Sequence, residues 1–187
     1  ILLCGDSTNH EDVRRLMGED KARMIFTDPP WNVAIGEGQG PARKREGIKN
    51  DNLGDKFGEF FDGWVGACVP HLDGDLYCVM AASEWGVIDA SFRKRGIHFS
   101  GVNVWVKNSF VMGRSNYQKR FEPIWYGWPE ASKSSFQGLR NLDDVWEYDR
   151  PSVSEEHPTM KPVELVKFAI KNSSAPGDIV FDPFMGS

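Results

Sequence analysis

Apolar and polar residues fall in blocks along this chain. Short apolar runs at 1–4 ("ILLC"), 22–28 ("ARMIFTD"), 75–81 ("DLYCVMA"), 102–107 ("VNVWVK"), 122–128 ("EPIWYGW") and 178–182 ("DIVFD") read as strands. The run at 22–28 lacks period-2 alternation, as expected of a strand covered on both faces. A further short strand is expected at 143–148. Between these runs, 9–18, 56–72, 83–96 and 161–177 carry apolar residues at helical spacing. Gly18 and Gly96 are placed to end two of these helices. Pro162 stands at the start of the last one, with Glu164 in its first turn and Lys171 in its last, as the helix dipole favours. The stretch 32–55 is polar and Gly-rich and reads as a long loop. Segments 108–120 and 129–141 are polar and rich in Ser, Lys and Arg.

Strands alternating with helices predict an α/β fold with a mostly parallel central sheet. Ligands of such sheets sit outside the carboxyl ends of the strands. Three apolar runs end in aspartate, at Asp6, Asp28 and Asp182, which places three carboxylates toward one expected cleft.

The run ending in Asp28 continues "DPPWN". Each proline fixes φ near −65° and lacks an N–H, so the turn is stiff. A carboxylate and a backbone carbonyl can then converge on one point, which suits an –NH₂ group with two hydrogens to donate. Trp31 adds a flat face for a π-rich ligand. An exocyclic amine of a nucleobase fits that set. Its lone pair is delocalised into the ring, and two acceptors favour a tetrahedral nitrogen whose lone pair is free to react. Without such a ligand, the same stretch is a Pro-rich turn with a Trp covering the core.

The 187 residues suit one domain, and 40% apolar with 26% charged residues is a globular composition. A net charge of −5 disfavours a whole-surface polyanion binder. Local basic clusters at Arg43, Lys44 and Arg45, at 93–95, and at Arg114, Lys119 and Arg120 are either solvated faces or contacts to a phosphate backbone. The three cysteines, Cys4, Cys68 and Cys78, are scattered. They outline neither a disulfide framework nor a metal knuckle, and a cytoplasmic setting is expected.

"DPPW" resembles the catalytic motif of amino-methyltransferases acting on nucleic acid bases. "HPTMKP" at 157–162, a following helix and strand, and then "DPFMGS" resemble the cofactor motifs of these enzymes, and "LLCGDS" before the catalytic strand also fits. The motif order is similar to that of the permuted beta class of DNA adenine-N6 and cytosine-N4 methyltransferases. "WVKNSF…RFEPIWYGW" looks like a region of phage-type DNA modification methylases, the modification partners of restriction systems. The resemblance implies a Rossmann-like methyltransferase fold, S-adenosylmethionine as methyl donor and double-stranded DNA as substrate, and it admits a homodimer. It places Asp28 and the Pro29 carbonyl on the target amine, Pro30 as a stiffener and Trp31 against the base. Asp6 and Ser7 would approach the cofactor's adenine, Thr159 and Lys161 its methionine end, and Asp182, Phe184 and Gly186 the glycine-turn edge of its pocket. His157 would orient the loop. No cysteine stands beside the motif in sequence to act as a nucleophile.

On this reading 1–107 is the catalytic half of the domain, 108–156 the target-recognition region, and 157–187 the start of a cofactor half that stops inside its glycine turn, so the chain reads as a fragment. Arg43, Lys44, Arg45, Arg114, Lys119 and Arg120 are the expected DNA contacts, with Lys133 and Arg140 as further cations. Adenine-N6 is preferred because cytosine-N4 enzymes more often carry Ser where Asp28 stands. Cytosine-N4, RNA or protein-glutamine methylation, and a non-catalytic DNA-binding remnant stay open.

Overall fold

The computed structural model describes residues 1–33, 49–112, 116–151 and 160–185. Asn9 starts the first helix, α1 (His10–Met17). Its side-chain oxygen accepts the N–H groups of Glu11 and Asp12, and Gly18 closes the helix at φ 58°, a conformation that glycine adopts without strain. The chain then forms β1 (Ala22–Thr27), α2 (Phe57–Cys68), β2 (Leu72–Val79) and α3 (Trp85–Lys94). A hairpin of β3 (Ile97–Val111) and β4 (Lys119–Pro129) follows, then β5 (Val145–Glu147), α4 (Val163–Ser173) and β6 (Val180–Phe181).

The strands form one sheet in the order β5-β3-β4-β2-β1-β6. β1 is parallel to β2 and β6, and β5 to β3, while β4 runs antiparallel to both β2 and β3. Among the described residues five strands therefore share one direction and β4 opposes them, the mostly parallel α/β sheet that the block pattern predicts.

Successive side chains of β1 and β2 point to opposite faces. Met24, Phe26, Tyr77 and Val79 meet Leu165 and Ala169 of α4. Ile25, Leu76, Cys78 and Met80 face a second core built from α1, α2 and α3. That core is aromatic: Phe61 lies edge-on to Trp64 at 5.0 Å and to Phe92 at 5.4 Å. Both sheet faces are covered, so the β1 run can be apolar throughout. Away from the carboxyl ends, buried Asp75 on β2 accepts hydrogen bonds from Ser135 N–H and from the Ser173 and Tyr126 hydroxyls. This pins part of the polar 129–141 segment.

Two expectations change. Residues 1–4 form no strand, and Ile1 and Leu2 are exposed. An apolar run becomes a strand only beside a ladder neighbour, and these residues have none among those described. Asp6 consequently does not stand at a strand end. The strand expected at 102–107 extends at both ends, from Ile97 to Val111, and Val111 pairs with Lys119.

Candidate active site

β1 and β6 lie side by side and both run into aspartate, so Asp28 and Asp182 emerge together at the carboxyl edge of the sheet. Pro29 is buried and Pro30 half-buried, which anchors the turn after Asp28. Two residues that sequence reasoning passed over hold its far side. Asp51, 2% exposed, accepts the Trp31 N–H at 2.9 Å. Asn32 adopts φ 60° and accepts the N–H groups of Leu53 and Gly54, both at 2.8 Å. An asparagine beside a Gly-containing turn was the available signal, since Asn tolerates this region better than other non-glycine residues. Trp31 is half-buried against the α4-side core and turns its indole N–H onto Asp28 Oδ1 at 3.1 Å.

Lys161 comes from the segment just before α4. Its ammonium lies 2.5 Å from Asp28 Oδ2, 3.5 Å from Glu122 Oε2 and 4.9 Å from the centre of the Trp31 ring. The sequence reading sends Lys161 toward a cofactor carboxylate, whereas the folded chain places it on the proposed catalytic one. Glu122, on β4, in turn binds Lys107, on β3, at 2.6 Å. The Lys107, Glu122 and Lys161 side chains are only 7%, 13% and 9% exposed. A buried row of alternating charge thus runs Lys107, Glu122, Lys161, Asp28. The alternation offsets the cost of burial that any one of these charges would carry alone.

Burial pushes the Asp28 carboxyl above its ordinary value, and the Lys161 ammonium opposes that rise. Burial works against the charge on Lys161, but the Asp28 and Glu122 carboxylates outweigh it and hold Lys161 above its ordinary range. Asp182 is raised to about 6, chiefly by burial, although its Oδ1 accepts the Phe184 N–H and the Thr27 hydroxyl, each at 2.9 Å. Cys78 pairs with Thr27 across the ladder, so a cysteine does lie near the motif in space. Burial first, and then the charges of Asp28 and Asp182, keep its thiol protonated, which unfits it as a nucleophile.

The remaining expected site residues divide. Phe184 packs edge-on to Phe60 and Trp64 of α2. Ser7 also rests on α2, its carbonyl accepting the Cys68 thiol. Asp6 is exposed and closes a turn by accepting the Thr8 N–H and hydroxyl, which lower its pKa. Lys119 and Arg120 are exposed at the start of β4, next to the β3–β4 connection, and Arg120 Nε donates to the Lys107 carbonyl. Lys133 and Arg140 are exposed as well. The cluster at 93–95 is committed elsewhere: Arg93 binds Asp89, while Lys94 and Arg95 bind Asp62. Arg43, Lys44, Arg45, Arg114, His157, Thr159 and Gly186 lie outside the described residues. Among the described residues no group of three or more His, Cys, Asp or Glu side chains is placed to hold a metal ion, and no helix is long and apolar enough to cross a membrane.

Known proteins resemble this chain in sequence or in fold. The type II methyltransferase M.HpaI of Haemophilus parainfluenzae is 28% identical over 196 residues, covering 90% of this chain and 59% of that protein. The DNA adenine methyltransferase YhdJ of Escherichia coli (strain K12) is 28% identical over 199 residues, covering 88% and 65%. This chain therefore spans less than two thirds of the length of either relative. Among solved structures, the M1.HpyAVI–SAM complex superposes with a TM-score of 0.68 at 20% identity over 98% of this chain and 82% of that one. The cytosine-N4-specific PvuII DNA methyltransferase gives 0.66 at 16% identity over 95% and 71%. These two structures share the fold. Residues 22–187, which include β1, the Asp28 turn and β6, match the family model described as DNA methylase, and the chain belongs to that family.

Proposed function

We propose that this chain carries the catalytic centre of a site-specific methyltransferase acting on double-stranded DNA in the cytoplasm of a bacterial or phage-infected cell. The methyl group passes from S-adenosylmethionine to the N6 amine of an adenine flipped out of the duplex. The observation that carries the reading is Asp28, set at the carboxyl end of β1 in a stiff Pro-Pro turn with the Trp31 indole against it. Aspartate at this position and the likeness to a relative named as an adenine methyltransferase favour adenine over cytosine.

The base must leave the stack because its amine cannot reach this edge from within a duplex. On this reading Asp28 accepts one N–H of the amine, the Pro29 carbonyl accepts the other, and Trp31 offers a face to the ring. The carboxylate then sits where positive charge develops on nitrogen, so its attraction is strongest in the transition state. Burial makes Asp28 a stronger base, which helps it receive the proton that the methylated amine releases. The residues fit the cofactor in kind. The Phe184 ring and the Asp182 carboxylate stand beside the Asp28 edge, and Asp182 uses Oδ1 for its internal bonds, leaving Oδ2 as an acceptor. S-adenosylmethionine supplies an electrophilic methyl group when bound. Thr159 and Gly186, with Asp6 and Ser7, complete the set assigned to it, whereas Lys161 serves Asp28 instead.

Replacing Asp28 with Ala in the full-length protein is expected to cut methylation about 10²–10⁴-fold, while calorimetry still detects donor binding. Mass spectrometry of the digested DNA should show N6-methyladenine. Near-normal turnover of the variant, or a product methylated on ring carbon, overturns the proposal; N4-methylcytosine reassigns the base.

A further inference from the structure

Both oxygens of Asp28 are occupied in the structure, Oδ1 by the Trp31 indole N–H and Oδ2 by the Lys161 ammonium. If Asp28 holds the target amine, as the proposed function requires, Oδ2 has to exchange one cation for the incoming donor. Lys161 is nearly buried, so moving its charge away without another acceptor is strongly unfavourable. An acceptor lies in reach. Among the described residues Glu122 Oε2, which is buried, makes no hydrogen bond, and it stands 3.5 Å from Lys161 Nζ. The other oxygen of the same carboxylate is fixed by Lys107, whose ammonium also sits 5.2 Å over the Trp105 ring. Glu122 is therefore held still, with one oxygen in use and one turned toward the lysine.

We infer that Glu122 is a positioning residue, anchored by Lys107, that draws Lys161 off Asp28 when the target amine enters. A shift of roughly 0.7 Å brings Nζ from its present separation to charge-assisted hydrogen-bond distance from Oε2. The row keeps its net neutrality throughout. Before substrate binds, Lys161 neutralises Asp28. With substrate bound, Lys161 neutralises Glu122, and Asp28 is left to the nitrogen on which positive charge will grow. Lys161 is then neither proton donor nor acceptor, and no bond is made or broken in the exchange.

Among the described residues, the charged and titratable groups around Asp28 are Lys161 before α4, Glu122 on β4, Lys107 on β3 acting through Glu122, Asp182 after β6 and Cys78 on β2. Trp31 adds a neutral donor from the turn itself. This arrangement gives two variants opposite signs. Glu122→Gln removes a like charge from near Asp28 and leaves Lys161 on it, so the acid limb of the pH–rate profile should move to lower pH while kcat falls about tenfold. Lys107→Met frees Glu122 to compete harder for Lys161, so the acid limb should move to higher pH. KM for the methyl donor should stay within about twofold in both. A structural role alone would lower activity without this opposition of sign. Asp28→Ala, measured alongside, separates the two ideas. If it abolishes turnover while both acid limbs stay in place, the positioning role is overturned and the catalytic reading stands. If it remains active, both fall. The wild-type protein provides a test that needs no variant to fold: in a crystal structure with a target oligonucleotide whose adenine is flipped, Lys161 Nζ should lie within hydrogen-bond distance of Glu122. Finding it still on Asp28 Oδ2 with the base seated overturns the inference.

Discussion

Lys161 and Asp182 show how burial governs single side chains at this edge. Replacing Lys161 with Met leaves the Asp28 and Glu122 carboxylates as neighbours without the cation between them. Removing one partner of a buried ion pair costs about 3–5 kcal/mol, and the partial exposure of Asp28 places this site at the lower end. Urea denaturation should show the loss at pH 8 and a smaller one at pH 5, where carboxylates take up protons more readily. Asp182 gives a distinct pH signature. Its folded pKa of about 6 lies above the unfolded value of 3.8, so the folded state binds the extra proton. Its stabilising contribution is full below about pH 4 and is lost as pH rises through 6, a swing of about 3 kcal/mol. Asp182→Asn keeps an acceptor for Thr27 and Phe184 but cannot ionise. Its Tm should gain on the wild type between pH 5 and 8, as read by differential scanning calorimetry. The Asp28 turn was legible in sequence because its chemistry is packed into four consecutive residues. The partner of Lys161 was not, because two carboxylates, one on a cofactor and one 133 residues away, satisfy the same ammonium equally well on paper. Asp51 and Asn32 were missed because their work is to receive backbone N–H groups, which leaves no mark in composition.

Helices and strands were legible to different degrees. Helical periodicity, with glycine stops at Gly18 and Gly96, located the four α-helices among the described residues, since a helix satisfies its backbone from within and its signal is local. Strand ends depend on neighbours. β3 runs through the polar residues Asn108 and Ser109 because β4 lies beside it, and the apolar run at 1–4 has no such partner among the described residues. Packing between elements sets the stability of the α1–α3 layer. Phe92 of α3 is fully buried against Phe61, Trp64 and Trp125. Phe92→Ala is expected to cost about 3–5 kcal/mol, lowering the guanidinium midpoint with little change in slope.

If the proposed function holds, a net charge of −5 over these 187 residues leaves DNA binding to a few local cations. Affinity measured by fluorescence anisotropy should fall with salt at a log–log slope of about −0.9 per neutralised phosphate. Lys119→Ala, at the exposed hairpin end, should reduce that slope by about one. Arg93→Ala should leave it unchanged, because Arg93 is already committed to Asp89 and the Phe99 ring. The sheet topology also dictates an order of assembly. β3 and β4 are consecutive in the chain and pair close in sequence, whereas Thr27 and Asp182 meet across 155 residues of chain. Contacts between distant parts of a chain carry the larger entropy of closure and form later. Pulse-labelled hydrogen exchange during refolding should therefore protect β3 and β4 amides before those of β1. Until the late closure of α4 and β6 on β1, Asp28 exists without Lys161, and a newly made chain has the hairpin of the finished protein but none of its chemistry.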